Sequence, residues 1–469
     1  MQTNNSTLPG KEYPKWLFIL LPAVTMLLGW GLRGFIGGGP FGAMIPGAML
    51  MITISLLLKL PLATAAVVTV FGTASIGMGG EMTYGQTLGF LRNADTVWWG
   101  TVGTTVKGGV WGLVGGSLIG MGLLYKKINP QTIVTAFLLF LLAFLIGLKL
   151  INDPKLVYFS DPINKPRQES WAGLLFAAIA LLVYLKCKIT AAEFSLIFRF
   201  AIYGLVGGAI GFGLGGFWLV LGFRLGKNTL ITEWWKLMEF SFGFIMGGFF
   251  GYASWLSRNA LKEHVSISPQ RSADFSILQQ LVAITVIGAV IYLVIPLAEP
   301  FVEERIASDG FGFEVLRTVA RILVNYTFIG LMLTVVALRW PFLAFQMTVT
   351  LTFSHTMIDL VEDLDPGYSN LIRAGLVVAS SLCVAFLVAV YQRKPKVLQS
   401  MFFILVWSTV FVAIARMFAA RQFQVPEGHS VLKFVIGDMM VFNFFMASAV
   451  VVSVWVAKPP PALSYSNVT

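Results

Sequence analysis

Apolar runs long enough to cross a bilayer recur from Trp16 almost to the C-terminus of this chain. A helix needs about 20 such residues to traverse ~30 Å of hydrocarbon. The runs are continuous and lack the alternation of barrel strands, so helices are expected rather than a transmembrane barrel. Composition agrees: 57% of residues are hydrophobic and 12% charged, against about 25% charged in soluble domains. The fold class that follows is all-α, a polytopic integral membrane protein. The first apolar run continues through Gly29-Trp30-Gly31-Leu32-Arg33 without a small-residue cleavage site, which predicts a retained span rather than a secretory signal. Cys187 and Cys383 sit in or beside apolar runs, so neither a disulfide framework nor a cysteine metal site is expected.

About fourteen spans are predicted, over 15–33, 40–59, 61–80, 98–125, 131–151, 170–186, 194–222, 232–257, 276–298, 313–338, 340–362, 370–391, 397–420 and 434–457. Basic clusters fall on alternate connections: Lys126-Lys127, Lys186 with Lys188, Arg258 with Lys262, Arg339, Arg393-Lys394 with Lys396, and Lys458. The positive-inside bias puts these, and both termini, in the cytoplasm. It also accounts for most of the +11 net charge without nucleic acid. Glu303, Glu304, Asp309, Asp363 and Asp365 then face outward, with Arg224 and Lys227 as a mild exception. The expected location is a bacterial inner (plasma) membrane.

A glycine-rich hairpin recurs. Gly77-Met78-Gly79-Gly80 through Trp98-Trp99 matches Gly213-Leu214-Gly215-Gly216 through Trp234-Trp235, and Gly29 to Gly47 forms a fainter copy. These are read as parallel repeats. Only eight of the 47 glycines follow residue 258, so the predicted organisation is a glycine-rich bundle over 1–257, a cytoplasmic linker over 258–275, a bulkier bundle over 276–458 and a tail over 459–469. Small residues recur every fourth position at Gly112/Gly116/Gly120, Gly204/Gly208, Gly207/Gly211/Gly215 and Gly243/Gly247/Gly251, a spacing that lets helix backbones approach in lipid. The stretch 81–97 reads as an interfacial loop pinned by Trp98-Trp99.

Ionisable residues inside apolar spans cost ~2.5–3.5 kcal/mol each at mid-helix and are functional candidates by default. Lys107 and Glu239 each lie 19 residues from a cytoplasmic basic anchor, about 28 Å at 1.5 Å per residue. Arg33 and Glu81 cap the same ends of their helices. Arg317, Arg321 and Asn325 are predicted on one helical face, and His355, Asp359 and Glu362 on another. Expected pairings are Lys107 with Glu81, Glu239 with Arg33, and Arg317 or Arg321 with Asp359.

These charges, the glycine hairpins and the two bundles predict a transporter of a small polar solute, anionic or zwitterionic, coupled to an ion or proton. Arg33, Lys107, Arg317, Arg321 and Asn325 would bind it, guanidinium making paired hydrogen bonds to carboxylate or phosphate. Glu81, Glu239, His355 and Asp359 would balance charge or carry protons. The alternatives are a membrane transferase with His355 as base oriented by Asp359, or a non-catalytic subunit of a membrane complex. No phosphate-binding loop, zinc-protease or nucleophile-elbow motif is present,. No cofactor or metal is expected; the expected partners are the solute and the lipid bilayer, with homo-oligomerisation open.

Overall fold

The computed structural model describes residues 13–458 except 162, 164–165, 227–228, 266–274, 296, 298–322, 324 and 365–366; of 263–265 it describes the backbone alone. All regular structure among the described residues is helical. The long helices are α1 (Lys15–Ile36), α2 (Gly39–Leu57), α3 (Leu62–Gly79), α4 (Val97–Leu123), α5 (Pro130–Gly147), α6 (Trp171–Lys188) and α7 (Ala191–Leu225). They continue with α8 (Trp234–Val265), α9 (Ile277–Ala289), α10 (Tyr326–Arg339), α11 (Pro341–Glu362), α12 (Asn370–Tyr391), α13 (Val397–Ala419) and α14 (Met440–Ala457). Among the described residues, eleven helices are long and apolar enough to cross a membrane. They do not include α10, which is short, or α8 and α11, whose sequences are more polar. The architecture is compatible with a multi-span membrane protein. Apolar side chains stay exposed in stripes at helical spacing, such as Leu138, Leu142 and Ile146 on α5 and Leu278, Val282 and Val286 on α9. In water such patches are a liability; in a bilayer they face acyl chains.

Three helical hairpins, α1–α2, α3–α4 and α7–α8, are linked head to tail. The second helix of each packs on the first helix of another: α2 on α3, α4 on α7, α8 on α1. Six helices therefore close a ring. Glycine makes two of these seams possible. A Cβ added at Gly112 would lie 1.8 Å from the carbonyl oxygen of Gly204, and one at Gly204 would lie 2.1 Å from that of Gly112. The α1–α8 seam is similar, with Gly243, Gly247 and Gly251 against the backbone of Met26, Pro22 and Phe18. Backbones this close gain dispersion and Cα–H···O contacts that no side chain supplies. Gly112→Ala is accordingly expected to lower stability by about 1–3 kcal/mol through overpacking, read as a lower thermal unfolding midpoint in detergent. Gly288→Ala, where the added carbon meets nothing within 4 Å, is the matched control and leaves the midpoint near wild type.

The centre of the ring is filled. Trp30 of α1 meets Trp111 of α4 at 4.9 Å between ring centroids and Phe242 of α8 at 4.4 Å, and Phe212 of α7 stacks on Phe242 at 4.8 Å. Because α1 and α4 are not neighbours around the ring, side chains that touch from both must meet inside it. Edge-on contacts of this kind add about 0.5–1.5 kcal/mol per pair beyond area burial. The indole of Trp111 also donates to the carbonyl of Ile76 at 2.7 Å, which satisfies its one polar atom.

Outside the ring, the α5–α6 hairpin flanks α4 through α6. Four of the remaining helices lie against α1, α2 and α3: α10 and α11 on α3, α11 and α13 on α2, α13 and α14 on α1; α9 and α12 pack on α11 and on each other. Two local details differ from the sequence reading. Helix α8 runs through Arg258 to Val265, so the first part of the expected linker continues a helix. The stretch 81–97 holds a short helix, Gly85–Gly89, and a 3-10 turn, Phe90–Arg92, with Thr87, Leu88 and Leu91 buried against the core.

Candidate functional site

Helix α1 ends at Ile36 and α2 begins at Gly39, so the chain reverses within a few residues. Glycine is needed for this reversal. Gly39 has φ +60°, a conformation that favours glycine,. A Cβ on Gly42 would lie 2.0 Å from the carbonyl oxygen of Gly37, and one on Gly80 would lie 2.4 Å from Cα of Pro40. At this bend, where α1, α3, α11 and α13 end and α2 and α8 begin, lies an open cavity of about 420 Å³. Its rim is largely backbone from residues 34–39 and 80–85, and its charged lining is Arg33, Arg167, Arg416, Glu239 and Asp359.

Arg33 is 5% exposed. Its guanidinium donates to the hydroxyl of Tyr84 and, at 3.3 Å, to the carbonyl of Gly39, while its Nε has no protein partner among the described residues. The cation lies 4.9 Å from the ring centre of Tyr84 and 5.6 Å from that of Trp111, which orients it without neutralising it. Through Trp111, the aromatic cluster at the centre of the ring therefore reaches Arg33.

Glu239, the other buried charge of the lining, is 1% exposed. Its carboxylate accepts from the indole of Trp235 at 2.9 Å and pairs with Lys236 at 2.7 Å. It lies directly over Gly34, where an added Cβ would come within 2.0 Å of a carboxylate oxygen. Absence of a side chain at position 34 is what lets Glu239 reach α1. At the rim Arg416 bridges Asp359, at 2.9 Å, on the last turn of α11, and Asp363, which caps its C-terminal end. These three are a quarter or more exposed. The lining thus combines a fixed buried cation, a fixed buried anion and a solvated ion-pair network.

A second buried ion pair lies beside the cavity. Lys107 and Glu169 are each 1% exposed and 2.8 Å apart. The ammonium also donates to the carbonyl of Thr83 and, at 2.8 Å, to the hydroxyl of Thr87. Glu169 accepts from the amide of Phe159 at 3.1 Å and the hydroxyl of Ser160 at 2.8 Å. The connection between α5 and α6 is thereby drawn into the fold, carrying Arg167 to the cavity. Thr83 and Tyr84, which line the cavity, belong to the segment that Lys107 fixes.

Of the residues selected from sequence, Arg33, Glu239 and Asp359 line the cavity together. Lys107 does not; it stands one layer away behind Thr83 and is paired with Glu169 rather than Glu81. Glu81 accepts the backbone N–H of Tyr326 at 2.9 Å, and Asn325 caps α10 by accepting from the N–H of Thr327 at 2.9 Å. Both satisfy orphan donors at a helix N-terminus. Asn325 precedes the first turn of α10, so it does not extend a helical face. Nε2 of His355 lies 3.3 Å from the carbonyl of Gly38, and the ring packs near Phe41 and Tyr292. Asp359 is bonded to Arg416, and Glu239 to Lys236 and Trp235; Arg33 lies near enough to Glu239 for electrostatic coupling. Arg317 and Arg321 lie outside the described residues.

Glu169, Tyr84, Arg167, Lys236 and Trp235 were missed by sequence reasoning. A usable signal existed for Glu169 alone: it is an isolated carboxylate after Lys165 and Arg167, immediately before the apolar run at Trp171. The arrangement can hold a small molecule bearing an anionic group near Arg33 and a cationic group near the carboxylates. No family model, curated protein or solved structure matches the chain. The class defined by the fold is thus a multi-span, all-helical architecture with a charged, glycine-rimmed cavity at one end of its helices.

Proposed function

We propose that this protein is a membrane transporter for a small polar solute carrying a carboxylate or comparable anionic group, zwitterions included. The cavity between α1, α2, α8 and α11 is its binding site. One observation carries the reading: a buried arginine and two carboxylates, Glu239 and Asp359, line about 420 Å³ of open space together. That volume falls in the range of small-molecule sites, ~300–1,000 Å³. Arg33 holds the anionic group of the solute, Glu239 and Asp359 balance a cationic group or carry a coupling proton, and glycine backbone lets the solute approach closely.

The positive-inside asymmetry supports fourteen spans with both termini in the cytoplasm, so the cavity opens outward. The closed ring of three hairpins supports reading 29–47, 77–99 and 213–235 as related units. Each contributes a first helix that packs on the second helix of another unit. Alternating access then moves α9–α14 against this ring. A transferase centre needs Asp359 to orient His355; Asp359 is engaged by Arg416 instead, which favours transport.

Full-length protein in liposomes, given a panel of radiolabelled small carboxylates and amino acids under imposed proton and sodium gradients, tests the proposal. Saturable uptake of at least one compound, absent from empty liposomes, is expected. No uptake of any compound under either gradient sinks it.

A further inference from the structure

The charges lining the cavity are not equally committed. Glu239 is held by Lys236 and by the indole of Trp235. Asp359 is held by Arg416, which takes Asp363 as well. The guanidinium of Arg33 feels Glu239 electrostatically but donates to the hydroxyl of Tyr84 and the carbonyl of Gly39, both uncharged. Arg167 is exposed, and its hydrogen bonds are made by its backbone. Among the described residues, neither Arg33 nor Arg167 forms an ion pair with a carboxylate. The lining therefore offers a solute two such cations, while each of its carboxylates already has a cation of its own.

The fold fixes where Arg167 stands. The hydroxyl of Tyr158 accepts its N–H at 2.6 Å and donates to its carbonyl at 2.7 Å. The hydroxyl of Thr83 donates to the next carbonyl, that of Gln168, at 3.3 Å, and Glu169 beyond it is anchored on Lys107. Tyr158 is itself tied to α4, where the indole of Trp99 donates to its carbonyl at 3.1 Å. These bonds hold the backbone of Arg167 at the cavity and leave its guanidinium to a ligand.

We propose that the solute of this cavity carries two anionic groups, as a short dicarboxylate does. Arg33 holds one carboxylate on the buried side and Arg167 holds the other on the exposed side. Guanidinium suits both contacts, because its planar fork makes paired hydrogen bonds to carboxylate. A zwitterion fits less well: its ammonium meets carboxylates already paired with Lys236 and Arg416, and the two free guanidinium groups repel it. A single phosphate carries comparable charge but concentrates it on one group. The two arginines come from separate elements, α1 and the α5–α6 connection, and differ in burial, which matches charges at the two ends of a molecule. The inference narrows the solute class and rests on the cavity being the solute site.

Calorimetric titration of the full-length protein in detergent at neutral pH tests it. The probes are the dicarboxylates from malonate to adipate, their monocarboxylate counterparts, γ-aminobutyrate and inorganic phosphate. Wild type is expected to bind one dicarboxylate roughly tenfold more tightly than its monocarboxylate counterpart or γ-aminobutyrate, the size of one charge-assisted contact. Arg167→Gln removes that preference and leaves monocarboxylate affinity near wild type, because Arg33 remains. Arg167→Lys keeps part of the preference, since the charge stays while the fork is lost. Arg33→Gln weakens every carboxylate. A monocarboxylate or γ-aminobutyrate bound as tightly as every dicarboxylate, with Arg33→Gln still weakening it, overturns the inference and leaves the cavity a carboxylate site. A dicarboxylate preference that Arg167→Gln leaves unchanged also overturns it. Phosphate bound more tightly than every dicarboxylate overturns it in favour of a single dianionic group. Binding of no probe, or binding that Arg33→Gln leaves unchanged, overturns this inference together with the reading of the cavity.

Discussion

Glu169→Ala is expected to lower the thermal unfolding midpoint of the detergent-solubilised protein more than loss of the solvated cavity carboxylate Asp359. The cause is what remains. Lys107 stays 1% exposed, with its charge now opposed only by the carbonyl of Thr83 and the hydroxyl of Thr87. The amide of Phe159 and the hydroxyl of Ser160 lose their acceptor too. Removing one partner of a buried pair costs about 3–5 kcal/mol, because the survivor is an uncompensated buried charge. Replacing both, as Lys107→Met with Glu169→Leu, removes that charge and is expected to recover much of the loss. Recovery stays incomplete because the donors on Phe159, Ser160 and Thr87 still want partners. Asp359→Asn is the contrast. Its pair with Arg416 is a quarter exposed on each side, Arg416 keeps Asp363, and solvated pairs contribute about 0–1 kcal/mol. Equal midpoints for Glu169→Ala and wild type would contradict the burial described for the pair.

Arg33→Gln is expected to abolish solute uptake while leaving the protein folded. Its guanidinium is the buried cation of the cavity, positioned by Tyr84 and Gly39 and stacked near two aromatic faces. Losing a buried, hydrogen-bonded charge partner typically costs a ligand 2–5 kcal/mol, so solute affinity is expected to fall by about 30-fold or more. Stability should change less, because the substitution also removes the desolvation cost of a buried guanidinium. Arg33→Lys is not a rescue: a single ammonium cannot reproduce the planar fork that meets both Tyr84 and Gly39,. Undiminished uptake by Arg33→Gln would take the solute out of this cavity.

Much of the fold was legible in the sequence because its signals are local. Apolar length located the helices, and small residues at every fourth position identified the faces that became the α4–α7 and α1–α8 seams. Closing the ring was not legible, since it depends on which hairpin meets which. The site divides the same way. Arg33, Glu239 and Asp359 stood out as charges in apolar runs and do share a cavity. Their partners did not, for a physical reason. Depth counted along a helix places a charge at a level but leaves its azimuth and its opposite number open. Lys107 was matched with Glu81 by level, whereas Glu169 reaches it from a connection that folds inward. Asn325 looked like the continuation of a polar helical face; the helix starts one residue later, and the side chain caps it. Tyr84 carried no charge to draw attention, yet it holds Arg33 in place.

The central claim is that the glycine-rimmed cavity is open to one side of the membrane and occupied by the transported solute. Gly38 and Gly85 line it, and an added Cβ at either meets nothing within 4 Å, so cysteine is tolerated at both. With Cys187 and Cys383 replaced by serine, Gly38→Cys and Gly85→Cys are each exposed to a membrane-impermeant charged thiol reagent. The reagent is applied from either face of sealed vesicles, with and without the solute that gives uptake. The expected result is modification of both cysteines from the face opposite Lys126-Lys127, slowed by saturating solute and no longer slowed once Arg33 is glutamine. Modification from the Lys126-Lys127 face, or modification that solute leaves unchanged at both positions, would contradict the account.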